Sequence, residues 1–257
     1  MWNTLVVNPL AQGLIFLHGL FGSYGLSIII LTVIVRLTTL PLTLKQLRSA
    51  KVMQELQPEL QTLQKKYGKD KEKLAAEQMK LYREKGANPV MGCLPMLIQM
   101  PIWIGLYQAL LRMAQTGVLH EGFLWIPSLA EPTNASWLFR SPLAWDLPYV
   151  AAYLILPALT VVTQVVLQKM TTTPAASDDP QQAMMNQMTL MMPLMFGFFA
   201  VQAPSGLALY WVTSNLFGIF QQYFVSGWGG LVQRERAEGK RMRKEKRLMR
   251  GKRKRET

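Results

Sequence analysis

Arg36 interrupts the otherwise apolar run Leu26–Leu44, and this one charge limits what the chain can fold into. With a span of about 24–44, the guanidinium sits more than roughly 10 Å of helix from either end, further than snorkelling fully recovers. An unpaired cation at that depth costs at least about 2.5–3.5 kcal/mol. The side chain is therefore expected to face water or a partner inside a helix bundle rather than lipid. A polar cavity within a membrane is the arrangement that accommodates it.

The rest of the composition agrees with a polytopic membrane protein. Half of the 257 residues are hydrophobic, yet the net charge is +13. The charge is concentrated in two blocks: residues 45–85 hold 11 Lys/Arg against 6 Asp/Glu, and residues 234–257 hold 13 against 4. Elsewhere the basic residues are Arg36, Arg112, Arg140 and Lys169. Cys93 is the single cysteine, which excludes an intrachain disulfide, and His18 and His120 are far apart in sequence. No metal site and no cofactor are expected.

Apolar windows predict an all-α membrane protein with five spans, at about 24–44, 91–113, 148–169, 186–203 and 206–229. Prolines mark ends or kinks: Pro41 and Pro89 flank the first basic block, Pro95 and Pro101 lie in the second span, and Pro157 and Pro193 kink the third and fourth. The positive-inside bias places both basic blocks in the cytoplasm, so an odd number of spans is required. Five spans give an amino end outside and a basic tail inside.

Residues 1–23 carry no charged side chain, and no basic region or small-residue cleavage site marks a signal peptide. Val6, Leu10, Leu14 and Leu17 fall at helical spacing, which predicts an amphipathic helix on the outer surface. A longer first span beginning near Leu10 is the alternative. Residues 45–88 predict a cytoplasmic helical hairpin. Val52, Leu56, Leu60 and Leu63 form one stripe, while Leu74, Leu81 and Tyr82 form another. Gly68 breaks the two, Lys69-Asp70 opens the second, and Pro58 bends the first. A solvated linker and a client-contact element are both compatible with this charged hairpin.

The spans hold many uncharged polar groups, including Thr39, Gln99, Gln164, Tyr210, Ser214 and Asn215, and no Asp or Glu. Amides facing lipid are costly unless bonded, so a polar interior seam is expected. Proton-coupled and many ion-coupled transporters place carboxylates at mid-membrane, and this chain places none there. A lone arginine in a wet cleft suits transient docking of an acidic or polar peptide segment. Met184, Met188, Met191 and Met192 cluster where the fourth span begins, and adaptable thioethers suit varied apolar clients. Ordinary packing against lipid is the competing explanation for them.

Three segments carry a resemblance. Val35-Arg-Leu-Thr-Thr-Leu-Pro-Leu-Thr-Leu-Lys-Gln46 resembles the arginine-bearing first core span of the YidC family of membrane protein insertases. Tyr82-Arg-Glu-Lys-Gly-Ala-Asn-Pro-Val-Met-Gly-Cys-Leu-Pro-Met-Leu-Ile-Gln-Met-Pro-Ile102 resembles its entry into the second span. Pro204-Ser-Gly-Leu-Ala-Leu-Tyr-Trp-Val-Thr-Ser-Asn215 resembles its last span. The resemblance covers essentially the whole chain and is to the short form, without a large extracytoplasmic domain. No lipobox-type cysteine lies near the amino terminus, so lipid anchoring is not expected.

The resemblance implies a 24–233 insertase core with a hydrophilic groove open to cytoplasm and lipid and closed to the outside. Arg36 is then the groove's positive centre, Gln99 and Trp211 match lining positions, and Gln164 is a further one. It implies a non-enzymatic insertase and chaperone in the bacterial cell membrane, multi-pass, acting on nascent membrane-protein clients in the lipid bilayer. No P-loop sequence is present, and no nucleotide is required. The ribosome, the Sec translocon and the signal-recognition-particle pathway are the partners to expect. The 234–257 tail, with Arg241, Arg243, Lys244, Lys246, Arg247 and Arg250, suits ribosomal RNA, while anionic lipid and a topogenic anchor also explain the charge. A small-solute channel or transporter and a structural assembly factor are the alternative functions.

Overall fold

The computed structural model describes residues 1–68, 70–87, 94–132, 147–171 and 180–228, with side chains at 54, 94–98, 147, 180–186, 188–190 and 226 outside that description. The described residues are helical apart from turns and one loop, and no β-strand occurs among them. The expected all-α class is observed. The helices are α1 (Asn8–Phe21, preceded by a π-helical turn, Asn3–Val7), α2 (Tyr24–Thr38), α3 (Leu40–Glu55), α4 (Gln57–Tyr67) and α5 (Lys71–Glu84). After them come α6 (Leu94–Gln115), α7 (Leu147–Thr171), α8 (Pro180–Gln202) and α9 (Ser205–Ser226).

By length and composition, Asn3–Phe21 and Pro148–Thr171 can each cross a bilayer, and the pair Tyr24–Thr38 and Leu40–Met53 makes a third candidate if taken as one bent span. That is two or three spans by this measure against the five expected. In α9 the reason is visible in the residues, since Thr213, Ser214, Asn215, Gln221 and Gln222 dilute its apolar character, while the described side chains of α6 and α8, at 99–115 and 191–202, are too few to make a span.

Residues 1–23 form a helix that folds back on α2. Gly22 ends α1 in the left-handed conformation, with φ at 68°, and its N–H donates to the His18 carbonyl at 2.7 Å. Glycine takes that conformation without the Cβ clash that other residues meet. The chain then turns back, and Gly13 of α1 comes to face Leu31 of α2, 3.6 Å from where a Cβ would stand. The result is an antiparallel helical hairpin of α1 and α2. Val7, Leu14 and Leu17 are buried while Leu5, Ile15, Phe16 and Leu20 are exposed.

The expected first span is broken. Between α2 and α3 the axis bends by 65°. Pro41 has no N–H for the Leu37 carbonyl, and Thr39 closes α2 by donating both its N–H and its hydroxyl to the Val35 carbonyl. After the bend α3 packs along α9 and leads on to α4. There Leu56, Leu60 and Ala87 form a small separate core with Val52, Met53, Leu81 and Tyr82. Asp70 caps α5 by accepting from the Lys73 N–H at 3.1 Å, and Lys85 pairs with Glu59 at 3.0 Å. Two antiparallel helices thus stand where sequence predicts a hairpin.

The main core gathers one end of the bundle. Leu14, Tyr24, Ile28, Leu106, Leu110, Leu119, Leu129, Tyr153, Leu156 and Leu207 are buried together. The loop after α6 closes over this end. Its Leu129 and Glu131 carbonyls accept from the Gly206 and Ser205 N–H groups, at 3.0 and 2.9 Å, satisfying the first donors of α9. Gly25 makes room for the loop, because a Cβ there would lie 2.1 Å from the Phe123 ring.

Candidate functional site

Along α2 and α9 the interior changes character with depth. Ile28 and Leu207 belong to the apolar core, whereas Thr32, Arg36, Ser214, Asn215, Gln221 and Gln222 follow toward the end where α3 departs. On α7 the buried Thr160 and Thr163 continue the same polar seam. Hydroxyls of Thr32, Thr160, Thr163 and Thr213 donate to carbonyls of their own helices, so these residues are satisfied without crossing the bundle.

Arg36 lies in the last turn of α2, where the partial negative charge of the helix end favours a cation. Its Nε donates to Ser214 Oγ at 3.0 Å, and its Nη2 donates to the same oxygen. Among the described residues it has no carboxylate partner; the ion pairs there are His18–Glu121 and Lys85–Glu59. A guanidinium carries five N–H donors, and Ser214 occupies only two of them. The remainder can bind an incoming acceptor.

Tyr210 stands one turn before Ser214 on the same face of α9. The Gln99 amide donates to the Tyr210 hydroxyl. Arg36, Ser214, Tyr210 and Gln99 therefore form one polar chain linking α2, α9 and α6. Asn215 points the other way and donates to Thr163 Oγ1 at 3.2 Å, tying α9 to α7. Both buried amide atoms of Gln221 and the carbonyl oxygen of Gln222 have no protein partner, which leaves polar capacity for water within the seam.

Not every predicted site residue joins this chain. Thr39 is spent on the bend itself, bonding the Val35 and Arg36 carbonyls. Gln164 is half-buried on α7, beside Thr163, and is not hydrogen-bonded to Arg36. Trp211 is buried in an aromatic cluster, stacked on Trp103 at 5.9 Å and meeting Phe196 edge-on at 5.6 Å. Met191 is exposed and Met192 half-buried on α8, while the side chains of Met184 and Met188 fall outside the described set. The basic positions Arg241, Arg243, Lys244, Lys246, Arg247 and Arg250 also lie outside the described residues.

Two residues, Ser214 of the expected polar seam and Glu121 of the loop, gain their specific roles only from the structure. Ser214 shares a helix face with Tyr210 at i,i+4 spacing, a signal that sequence does contain. Glu121 accepts from the Tyr24 N–H at the start of α2 and pairs with His18 at 3.4 Å, and nothing in the sequence near this loop residue announces it.

Membrane-length apolar helices packed around a buried polar seam define an integral membrane protein. The family model described as 60Kd inner membrane protein matches residues 16–229, and the chain belongs to this family, that of the YidC insertases. It is similar to membrane protein insertase YidC 2 of Bacillus anthracis, with 39% identity over 232 residues, 88% of this chain and 82% of that protein. Membrane protein insertase MisCA of Bacillus subtilis is 41% identical over 231 residues, 88% of this chain and 79% of its own length. ALBINO3-like protein 1, chloroplastic, of Arabidopsis thaliana is 43% identical over 240 residues, covering 88% of this chain and 47% of that protein. The chain spans about half the length of the chloroplast relatives it matches. Relatives thus come from bacteria and from chloroplasts.

Proposed function

We propose that this chain is a membrane protein insertase and chaperone that works without nucleotide hydrolysis. The observation that carries the reading is Arg36: a guanidinium deep in an apolar bundle, held by one neutral hydroxyl, with no carboxylate partner among the described residues. Family membership supports the same function, since relatives from two Bacillus species bear the name membrane protein insertase.

In this reading α2 with the start of α3, then α6, α7, α8 and α9, are the five spans of the core, and α1 is a sixth membrane-crossing helix antiparallel to α2. The α4–α5 hairpin and the 234–257 tail lie in the cytoplasm, following their positive charge. The turn between α1 and α2 faces the opposite side. The apolar core at that side closes the groove, and the polar seam opens toward the cytoplasm and lipid.

A client's polar tail must cross hydrocarbon before its apolar segment settles in lipid. A carboxylate at the centre of an intact bilayer costs about 2.5–3.5 kcal/mol or more. A wet seam reaching Arg36 shortens the dry path, and the free N–H donors of Arg36 attract acidic and polar tails. The client's apolar segment then moves into lipid, gaining about 0.8 kcal/mol per buried CH₂. Exposed Met191 and Met195 on α8 offer an adaptable surface to that segment. The clients are nascent membrane proteins delivered by the ribosome, alone or beside the Sec translocon and the signal-recognition-particle pathway, in a bacterial cell membrane.

Liposomes containing only this protein test the reading. They should integrate a single-span client with a short acidic tail, without nucleotide and well above empty liposomes. Solute flux without client integration would contradict it and favour a transporter.

A further inference from the structure

The loop that closes the core carries an exposed apolar tip. Phe123 and Ile126 exchange backbone hydrogen bonds at 2.9 Å in both directions, which leaves Leu124 and Trp125 as a two-residue turn. Leu124 is 75% exposed and Trp125 43% exposed, and Val118 and Pro127 beside them are exposed too. Leu124 has φ at 55°, a left-handed conformation that turns of this kind normally fill with glycine, asparagine or aspartate. A leucine is an expensive choice for the turn alone, so its side chain needs another reason to be there.

The tip is rigidly mounted. Phe123 packs at Gly25, Ile126 and Leu129 are in the core, and the Glu121 carboxylate holds the α2 N-terminus. Among the described residues of the loop the two carboxylates have partners: Glu121 pairs with His18, and Glu131 accepts from the Tyr149 hydroxyl at 3.1 Å.

We infer that Leu124 and Trp125 form a membrane-interface wedge, seated at the acyl–headgroup boundary of the leaflet opposite the α4–α5 hairpin. Its depth follows from the contacts. Glu121 and Phe123 meet the first turn of α2, level with Gly22, where the 19-residue apolar helix Asn3–Phe21 ends. A helix of that length matches a hydrocarbon core of about 30 Å, so its end marks the boundary. Exposed Phe16, Leu20 and Phe21 on α1 continue the same apolar surface. Tryptophan is enriched at that boundary because its ring is apolar and its N–H is wet. By holding the tip in lipid, the leaflet itself helps seat Phe123 and keeps the closed end of the bundle shut. The inference rests on the reading that these helices lie across a bilayer.

The test uses full-length protein carrying Cys93→Ser and one new cysteine, Leu124→Cys, Trp125→Cys or Phe16→Cys, labelled with a small polarity-sensitive fluorophore. Protein is reconstituted at low density in phosphatidylcholine–phosphatidylglycerol vesicles. Quenching is compared for iodide in water and for lipids bearing a spin label near the headgroup or deep in the acyl chain. Labels at 124 and 125 should be quenched by the shallow spin label at least threefold more than by the deep one, and be shielded from iodide. The label at 16, a lipid-facing reference, should respond to the spin-labelled lipids in any case. Free iodide quenching at 124 and 125 with lipid quenching intact at 16 overturns the wedge alone. Absence of lipid quenching at all three positions overturns the wedge together with the spanning arrangement. Shielding that vanishes on tenfold dilution with lipid assigns the tip to a second copy and also overturns the wedge.

Discussion

The guanidinium of Arg36 on α2 is held by the hydroxyl of Ser214 on α9, with Nε 3.0 Å from Oγ, across 178 residues of sequence. The anchor is neutral. It orients the cation without cancelling its charge, and that makes Ser214 a separable part of the site.

Ser214→Ala should leave the protein folded, since a small side chain is removed from an otherwise packed helix. A hydrogen bond to a charged group contributes about 1.5–3 kcal/mol. Losing it should lower insertion of acidic-tailed clients several-fold, less than loss of Arg36 itself, while Ser214→Thr retains most activity. Initial rates of client integration in liposomes measure both.

Gly25 and Phe123 define the closed end of the bundle. Gly25→Ala forces a methyl into space that the Phe123 ring fills, at a cost of about 1–3 kcal/mol. The melting temperature in detergent should fall. Adding Phe123→Ala should recover part of the loss, because the two changes share one contact. Independent, additive losses would show that the close approach is absent.

Much of this architecture is legible in sequence, and the exceptions have physical reasons. The α4–α5 pair follows from apolar stripes, Gly68 and the Asp70 cap, all of them local signals. The bend after Thr38 was also signalled locally, by Pro41, but an unbroken hydropathy window hides it. The place of α1 was not legible, because hydropathy reports an apolar helix without naming its neighbours. Only pairwise fits, such as Gly13 with Leu31 and Gly105 with Val6, put α1 beside α2 and α6. Arg36 stood out by the cost of its burial, whereas its partner was hidden by sequence distance. Trp211, which the resemblance places in the groove lining, has its ring stacked on Trp103 and met edge-on by Phe196, contacts that sequence does not announce.

The seam should be wet where it is polar. In a Cys93→Ser background, Gln164→Cys should react with a small polar maleimide, as should Gln221→Cys. Val162→Cys, on the exposed apolar face of α7, and Trp211→Cys, within the aromatic cluster, should react at least tenfold more slowly. Uniform labelling of all four would remove the distinction between seam and surroundings.

Deleting residues 234–257 removes 13 basic residues while leaving every described helix intact. Membrane integration of the protein should persist, and ribosome co-sedimentation in detergent should drop and lose its steep salt dependence. Cotranslational insertion should suffer more than insertion of released clients. Unchanged ribosome binding would leave the tail as a topogenic or lipid-binding anchor.

The central claim is that Arg36 acts through charge on the client's tail. The direct measurement is liposome integration of one single-span client whose tail carries zero, one, two or three acidic residues, with wild type, Arg36→Lys and Arg36→Ala compared at equal protein density. The account predicts that the deficit of Arg36→Ala grows with each added carboxylate, to on the order of tenfold or more for about 1.4 kcal/mol of lost attraction, with Arg36→Lys in between. Equal integration by wild type and Arg36→Ala across the whole tail series would contradict it.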